Sequence, residues 1–200
     1  MYSVLRVDEA KQVPLLRRHA GRLGVSPGVL MDFARAVTPG VYRVTWNGAA
    51  LEHELRPASR LLEGMPTRFV VSPFAEREGR FPKPRPPSAY DGVRVPGVAS
   101  LLTSVDGREL YESCSASLVA WDGSEVVLVP SRAPGVASLA EDAVADGLAH
   151  RRAVLEVESQ WPLLLINAVA GTCGLEVPGR RAFPRDVREH LHRVVTSHDA

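Results

Sequence analysis

The residue types most suited to chemistry lie in five separate segments of the chain. These are residues 19–23 (HAGRL), the isolated Lys83 ahead of Tyr90-Asp91, and residues 109–117 (ELYESCSAS), 127–138 (VLVPSRAPGVAS) and 163–171 (LLLINAVAG). They supply an amine, a guanidinium, a carboxylate and two turns of small residues. A deprotonated amine can form an imine with an aldehyde, whereas a guanidinium and the backbone N–H groups of turns can bind a phosphate dianion. Lys83 stands out because Lys11 is the only other lysine.

Several large enzyme classes are excluded by motifs that the sequence lacks. It has no glycine-rich phosphate loop, no G-x-S-x-G elbow and no H-E-x-x-H pair, which disfavours P-loop enzymes, α/β-hydrolases and zincins. His190 and His192, with His198 beyond them, are interpreted as surface residues, because positions i and i+2 point to different sides of a helix. Cys114 and Cys173 are too few for a disulfide framework or a cysteine-rich zinc site. We therefore predict no metal site.

The composition predicts a folded, cytoplasmic protein. Its 200 residues are 45% hydrophobic and 24% charged, which is sufficient to bury a core. The 24 basic and 23 acidic residues give a net charge of +1, which does not indicate a nucleic-acid partner. Residues 1–12 lack the pattern of a signal peptide, and no apolar run approaches the ~18 residues that cross a bilayer. We accordingly expect no membrane association.

The five segments fall on two predicted groups of elements, a small α+β domain over residues 1–80 and a larger strand-rich domain over residues 81–200. In the first domain we predict a strand, two helices, a hairpin and a further strand, over residues 1–7, 13–25, 26–37, 40–58 and 67–74. Ser26-Pro27 starts the second helix, and Asn47-Gly48 forms the hairpin turn. Residues 75–89 contain four prolines and are the predicted linker.

The second domain is predicted to consist mainly of short strands with helices between and after them. The strand-like segments are residues 97–105, 109–121, 124–131, 153–160 and 162–171. A helix is predicted over residues 138–152. A final helix is predicted over residues 184–195, with Pro184 at its start.

In this order the segments resemble the class IV, or fold-type IV, pyridoxal-phosphate-dependent aminotransferases and lyases. The resemblance implies a two-domain α+β fold, truncated at the N-terminus, with pyridoxal 5'-phosphate in the cleft between the domains. It implies that Arg22, in an H-x-x-R-L helix, binds the phosphate, and that Lys83 is the catalytic lysine that forms the Schiff base. It further implies that Glu112 contacts the pyridine nitrogen. Backbone N–H groups of two turns would complete the phosphate site, at Val136, Ala137, Ala168 and Val169.

Three functions remain open within this resemblance. The motifs ESCSAS and INAV are most similar to those of lyases that convert 4-amino-4-deoxychorismate to p-aminobenzoate and pyruvate. The alternatives are a class IV amino-acid aminotransferase and a non-catalytic, cofactor-free relative. The last stays open because Ser117 stands where the family has asparagine, and Ala137-Ser138 stands where it has Thr-Arg. Family members are commonly homodimers, so we expect a homodimer acting on a small amino substrate.

Overall fold

The computed structural model describes residues 2–57, 63–72, 90, 92–130 and 147–197. Two β-sheets and three helices make up the regular structure of these residues. In chain order the elements are β1 (Tyr2–Val7), α1 (Leu16–Leu23), α2 (Pro27–Ala36), β2 (Gly40–Trp46), β3 (Leu51–Arg56), β4 (Met65–Val71), β5 (Ala99–Thr103), β6 (Glu109–Ser113), β7 (Ser117–Trp121), β8 (Val126–Leu128), β9 (His150–Arg152), β10 (Leu155–Glu156), β11 (Leu163–Asn167), β12 (Gly171–Glu176) and α3 (Arg185–Thr196).

The N-terminal part is a three-stranded antiparallel sheet with two helices on one face. The strand order is β1-β2-β3. Along β1, Ser3, Leu5 and Val7 are buried whereas Val4 and Arg6 are exposed, which is the alternation of a strand with one covered face. The covered face packs against apolar residues of α1 and α2. These elements confirm the strand, the two helices and the hairpin that the sequence predicts.

Asn47 builds the turn between β2 and β3. Its side-chain Oδ1 accepts hydrogen bonds from the N–H groups of Ala49 and Ala50, both at 2.9 Å. Gly48 has φ +100°, a conformation that side chains with a Cβ rarely adopt. The predicted Asn47-Gly48 turn is thereby confirmed, and its geometry explains why these two residue types occur there.

The larger sheet closes on itself into a six-stranded barrel. Its nine strands run in the order β10-β6-β5-β4-β12-β11-β7-β8-β9, and a further pairing between β6 and β7 joins Glu112 to Ser117 and completes the ring. Apolar side chains, among them Leu101, Leu118 and Leu165, fill the interior. Helix α3 covers part of the outer face, against Val119, Ile166 and other apolar residues. This architecture confirms the predicted strand-rich α+β fold.

Leu15 connects the two parts of the molecule. It lies at the N-cap of α1 with φ +54°, and its N–H donates to the Ser197 carbonyl at 3.3 Å, just beyond α3. Its side chain is buried in the cluster that α3 forms on the outer face of the barrel, near Leu191 and Val195. The start of α1 is therefore fixed against the barrel rather than only against its own sheet.

Arg180 holds the connection between β10 and β11 in place. Its guanidinium donates to the carbonyls of Trp161, at 3.0 Å, and Val157, at 2.6 Å. Burial lowers the pKa of Arg180. The side chain thus supplies hydrogen-bond donors to two backbone carbonyls of this loop.

The larger sheet also contains strands that we did not predict to belong to it. Strand β4 was predicted with the first domain but pairs in parallel with β5 and β12. The division at residue 80 stays a prediction, because the linker residues 75–89 lie outside the described ranges. The end of the helix predicted over residues 138–152 is wrong, because β9 pairs in parallel with β8. Gly147 has φ +82°, which a right-handed helix cannot contain. Strand β12 was not predicted.

Candidate active site

Glu112 lies in a row of side chains that crosses the outer face of the barrel. It pairs with Leu102 of β5 and with Ser117 of β7, Ser117 pairs with Ile166 of β11, and Ile166 pairs with Thr172 of β12. Residues directly opposite in neighbouring strands share one face of a sheet. Because Ile166 packs in the cluster with α3, Glu112 belongs to this outer face and not to the barrel interior. The carboxylate is buried, with 3% of the residue exposed.

The turn that follows Glu112 is joined to the turn after β11. Ser113 Oγ accepts the N–H groups of Ser115, at 3.2 Å, and Ala116, at 2.9 Å, which shapes the turn between β6 and β7. Asn167 Nδ2 donates to the Ser115 carbonyl at 2.5 Å. The predicted pyridine-nitrogen partner and the predicted phosphate turn at residues 167–169 are therefore brought to the same end of the barrel.

The turn at residues 167–169 uses part of its backbone internally. Asn167 Oδ1 accepts the N–H of Val169 at 2.7 Å and that of Ala170 at 3.2 Å. Ala168 and Val169 are both buried. The phosphate role assigned to Ala168 and Val169 stays a prediction, but the Val169 N–H already has an acceptor in the chain.

Helix α3 contacts the far end of the row through His192. The ring Nδ1 accepts the N–H of Thr172 at 3.2 Å and lies 3.2 Å from Thr172 Oγ1. A Cβ on Gly171 would lie 2.4 Å from His192 Cε1, and Gly171 has φ +78°. The glycine thus allows the helix to approach the strand. His192 is exposed, as predicted, but it contacts β12.

Arg22 and His19 lie one turn apart on α1 and both contact β1. Arg22 is 8% exposed, and its Nε donates to the Tyr2 carbonyl at 3.1 Å. His19 is fully buried, with Nδ1 2.7 Å from Ser3 Oγ, while its Nε2 has no hydrogen-bond partner. Burial, together with the Arg22 cation, lowers the pKa of His19 from 6.5 to about 3. Burial also lowers the pKa of Arg22.

Three of the predicted site residues, Lys83, Val136 and Ala137, lie outside the described ranges, and their roles stay predictions. Tyr90, seven residues after Lys83, is described. It is buried against Leu102, the residue directly opposite Glu112. Tyr90 therefore lies near Glu112.

The described contacts thus gather Glu112, Ser117 and the turn at residues 167–169, while the contact described for Arg22 is with Tyr2 in the smaller sheet. Sequence reasoning gave His19 no role. Its spacing of three residues from Arg22, which places both side chains on one face of a helix, was the available signal.

Comparison with known proteins relates this geometry to solved structures. No family model matches the chain, and no curated protein matches it. The 4-amino-4-deoxychorismate lyase of Pseudomonas aeruginosa aligns with 97% of this chain and 89% of its own, at a TM-score of 0.61 and 18% identity. The branched-chain amino acid aminotransferase of Escherichia coli aligns with 96% and 82%, at a TM-score of 0.65 and 16% identity. The fold is that of the class IV lyases and aminotransferases.

A third structure with the class IV fold carries the cofactor. It is a hypothetical aminotransferase from Mycobacterium tuberculosis in its PLP-bound form, which aligns with 98% of this chain and 87% of its own. The TM-score is 0.61 and the identity is 14%. Together the three structures confirm the fold that the sequence motifs predict.

The described residues contain neither a membrane-spanning helix nor a cluster of metal ligands. None of the helices there is long and apolar enough to cross a membrane. Within the same ranges, no three His, Cys, Asp or Glu side chains come together in a way that could hold a metal ion.

Proposed function

We propose that the chain is a pyridoxal-phosphate-dependent class IV enzyme. The observation that carries the proposal is the buried carboxylate of Glu112, on the outer face of the barrel, in a fold shared with a PLP-bound structure. A carboxylate in a buried, low-dielectric position interacts strongly with a cation placed beside it. A protonated pyridine nitrogen would be such a cation.

Glu112 and Arg22 fit the cofactor by the chemistry of their groups. Glu112 would hold the proton on the ring nitrogen, and the buried Arg22 guanidinium would bind the phosphate dianion. Lys83 would supply the amine that exchanges with the amine of the substrate and then carries protons. Pyridoxal phosphate, when bound, supplies a ring that accepts electrons from the reacting carbon.

Within this class we propose a lyase that converts 4-amino-4-deoxychorismate to p-aminobenzoate and pyruvate. The motifs ESCSAS and INAV support this reaction, as does the similarity to the Pseudomonas aeruginosa lyase. An amino-acid aminotransferase is the alternative, supported by the similarity to the Escherichia coli enzyme. A homodimeric, cytoplasmic state belongs to the same proposal.

One observation favours a second candidate, a cofactor-free relative. The Val169 N–H, expected to face a phosphate, donates to Asn167 Oδ1 within the turn itself. Ala137-Ser138 also replaces the threonine and arginine of the family's other phosphate turn. Such a protein would use its cleft or its dimer surface for binding.

Reductive labelling separates the two candidates. The purified protein is mixed with pyridoxal phosphate, its visible absorbance is recorded, and borohydride is added before peptide mapping. We expect visible absorbance and a label on Lys83. The matched variants are Lys83→Arg, which should abolish both signals, and Lys11→Arg, which should retain them because Lys11 is held by the Val37 carbonyl in the smaller sheet.

A wild-type protein that shows neither absorbance nor label at saturating cofactor would leave the cofactor-free candidate. A label on Lys11 alone would contradict the role of Lys83. If the cofactor binds, formation of p-aminobenzoate identifies the lyase, whereas conversion of the bound cofactor to its amine form by an amino acid identifies the aminotransferase.

A further inference from the structure

Strand β3 forms one edge of the smaller sheet, and its side chains are open to solvent. Within the described ranges it pairs with β2 on one side only. None of its six residues is buried. Leu55 lies on the face that the helices cover, opposite Tyr42 of β2, yet 61% of it is exposed. A strand edge of this kind favours pairing with another strand.

The backbone groups at this edge belong to Leu51, His53 and Leu55. At the hairpin turn, the Asn47 N–H donates to the Ala50 carbonyl at 3.3 Å. Along an antiparallel pair, residues that bond the neighbouring strand alternate with residues whose N–H and C=O groups point away from it. The even-numbered residues of β3 therefore bond β2, and the odd-numbered residues offer their backbone groups to a further strand.

The sequence of β3, LEHELR, is complementary to a second copy of itself in one antiparallel register. A two-fold axis at Glu54 places Glu52 opposite the partner's Arg56, twice in the dimer. An axis at His53 would instead place Glu52 opposite the partner's Glu54, which is unfavourable. A shift by a single residue would set the covered face of one copy beside the open face of the other. Charge and facing therefore select the register centred on Glu54.

The axis brings the two Glu54 side chains together, and neighbouring arginines offset their charge. Glu54 Oε1 lies 2.8 Å from Arg56 Nη1, and Glu54 Oε2 lies 3.6 Å from Arg43 Nη1. With Glu52, each copy thus brings two carboxylates and two guanidinium groups to the open face of the paired strands. The charges of the two copies balance there.

The covered face offers an apolar contact in the same register. A groove of about 550 Å³ lies between α2 and β3, and its lining includes Phe33, Trp46, Leu51 and His53. The His53 ring packs against Phe33, with 5.2 Å between the ring centroids. The register places the partner's Leu55 opposite His53, beside this groove. Pairing would thereby remove the exposed Leu55 of both copies from water, which is favourable.

We propose that β3 is a homodimer interface, in which two copies pair their β3 strands antiparallel about Glu54 and form one continuous six-stranded sheet. The proposal rests on the proposed function only in expecting two copies of the chain, and it depends on neither the cofactor nor the reaction. It assigns the surface that joins the copies and the residues that determine the register.

A cysteine at the axis tests the register. In Glu54→Cys the two thiols would face each other in a pair of residues that is not hydrogen-bonded, where a Cα–Cα distance of about 4.5 Å suits a disulfide. The native Cys114 and Cys173 are buried. We expect mild oxidation of the folded protein to convert Glu54→Cys into a covalent dimer. The matched control Glu52→Cys, which lies opposite the partner's Arg56, should remain largely monomeric on a denaturing gel.

Charge reversal tests the same pairing without a crosslink. Sedimentation equilibrium should give the wild type a mass twice the 21.7 kDa of one chain. Glu52→Arg and Arg56→Glu should each weaken self-association by about tenfold or more, because like charges then face each other. An equal mixture of the two variants should form a heterodimer, because each chain presents the charges that the other lacks.

Truncation of Leu55 tests the apolar contact. Leu55→Ser should raise the dissociation constant of the dimer by about tenfold or more, because two such side chains are lost from the interface. Its own fold should be little affected, because the side chain is mostly exposed in the single chain. The matched control is Val105→Ser in a turn of the barrel, where the residue is 64% exposed, and it should leave the dissociation constant unchanged.

The outcomes distinguish this inference from the proposed enzyme. A monomeric wild type would overturn the interface, as would a dimer that ignores Leu55→Ser and Glu52→Arg. Equal crosslinking of Glu54→Cys and Glu52→Cys would contradict the register. In each case the labelling of Lys83 by pyridoxal phosphate still decides the enzyme by itself. If the β3 variants dissociate the dimer but Lys83 is never labelled, the interface stands and the enzyme is wrong.

Discussion

The buried, neutral His19 predicts an unusual dependence of stability on pH. In the folded protein its pKa is about 3, whereas an exposed histidine in the unfolded chain has 6.5. At pH values between these two pKa values, the unfolded chain binds a proton at His19 that the folded protein does not bind. The free energy of unfolding therefore falls as the pH falls, starting near 6.5, and approaches a slope of about 1.4 kcal/mol per pH unit.

The size of the effect follows from the two pKa values. Going from about pH 7 to about pH 5, His19 alone lowers the free energy of unfolding by about 2 kcal/mol. Carboxylates whose pKa is lowered in the folded state, such as Asp122 with its backbone hydrogen bonds, destabilise the protein on protonation only below their unfolded pKa of about 4. The range from pH 5 to pH 6.5 therefore reports mainly on histidines.

Urea unfolding at a series of pH values measures this slope. His19→Gln, which cannot titrate, should show an almost flat profile between pH 5 and pH 7 whatever its absolute stability. His150→Gln, which removes an exposed histidine, should retain the wild-type profile. If His19→Gln and the wild type lose stability in parallel, then His19 is not the neutral buried group on which the reasoning depends.

Three further substitutions test other parts of the structure. Glu112→Gln should reduce lyase or aminotransferase turnover by orders of magnitude and leave the melting temperature within a few degrees, since volume is conserved; a fully active variant would contradict its role at the ring nitrogen. Gly171→Ala should lower the free energy of unfolding, measured by urea titration, by about 2 kcal/mol, because φ is positive and a Cβ would contact helix α3. Gly92→Ala, where a Cβ would meet open space, should leave the free energy of unfolding unchanged. Arg180→Ala should lower the free energy of unfolding by about 2 kcal/mol, because the carbonyls of Trp161 and Val157 lose their donor, while Arg181→Ala, at the exposed neighbour, should lower it little. Equal melting temperatures for these two variants would show that the two hydrogen bonds of Arg180 do not hold the loop.

Local signals in the sequence predicted the smaller sheet well. Alternation along β1, the Ser26-Pro27 start of α2 and the Asn47-Gly48 turn each act over a few residues, and the structure follows each of them. The order of the motifs predicted the fold, and the structure joins the turn after Glu112 to the turn at Asn167.

The features that were missed depend on contacts between distant residues. Strand β4 could not be assigned to the barrel from its own residues, because its partners β5 and β12 lie far along the chain. Strand β12 (GTCGLE) has two glycines and no clear alternation, so its pairing with β11 rather than its composition makes it a strand. The open Nε2 of His19 is likewise a three-dimensional property, since nothing in HAGRL shows which polar groups will lack partners.

The parallel pairing of β4 with β12 joins Met65 to Leu175, across most of the chain. On the ribosome, β4 is synthesised more than a hundred residues before the strand that completes its sheet, so the barrel cannot close until nearly the whole protein has left the exit tunnel. Closing so long a loop is slow, and an unpaired strand edge promotes association between chains. Yield during expression should therefore respond to temperature and to chaperones, and a chain that ends before Gly171 should aggregate instead of accumulating as a soluble fragment.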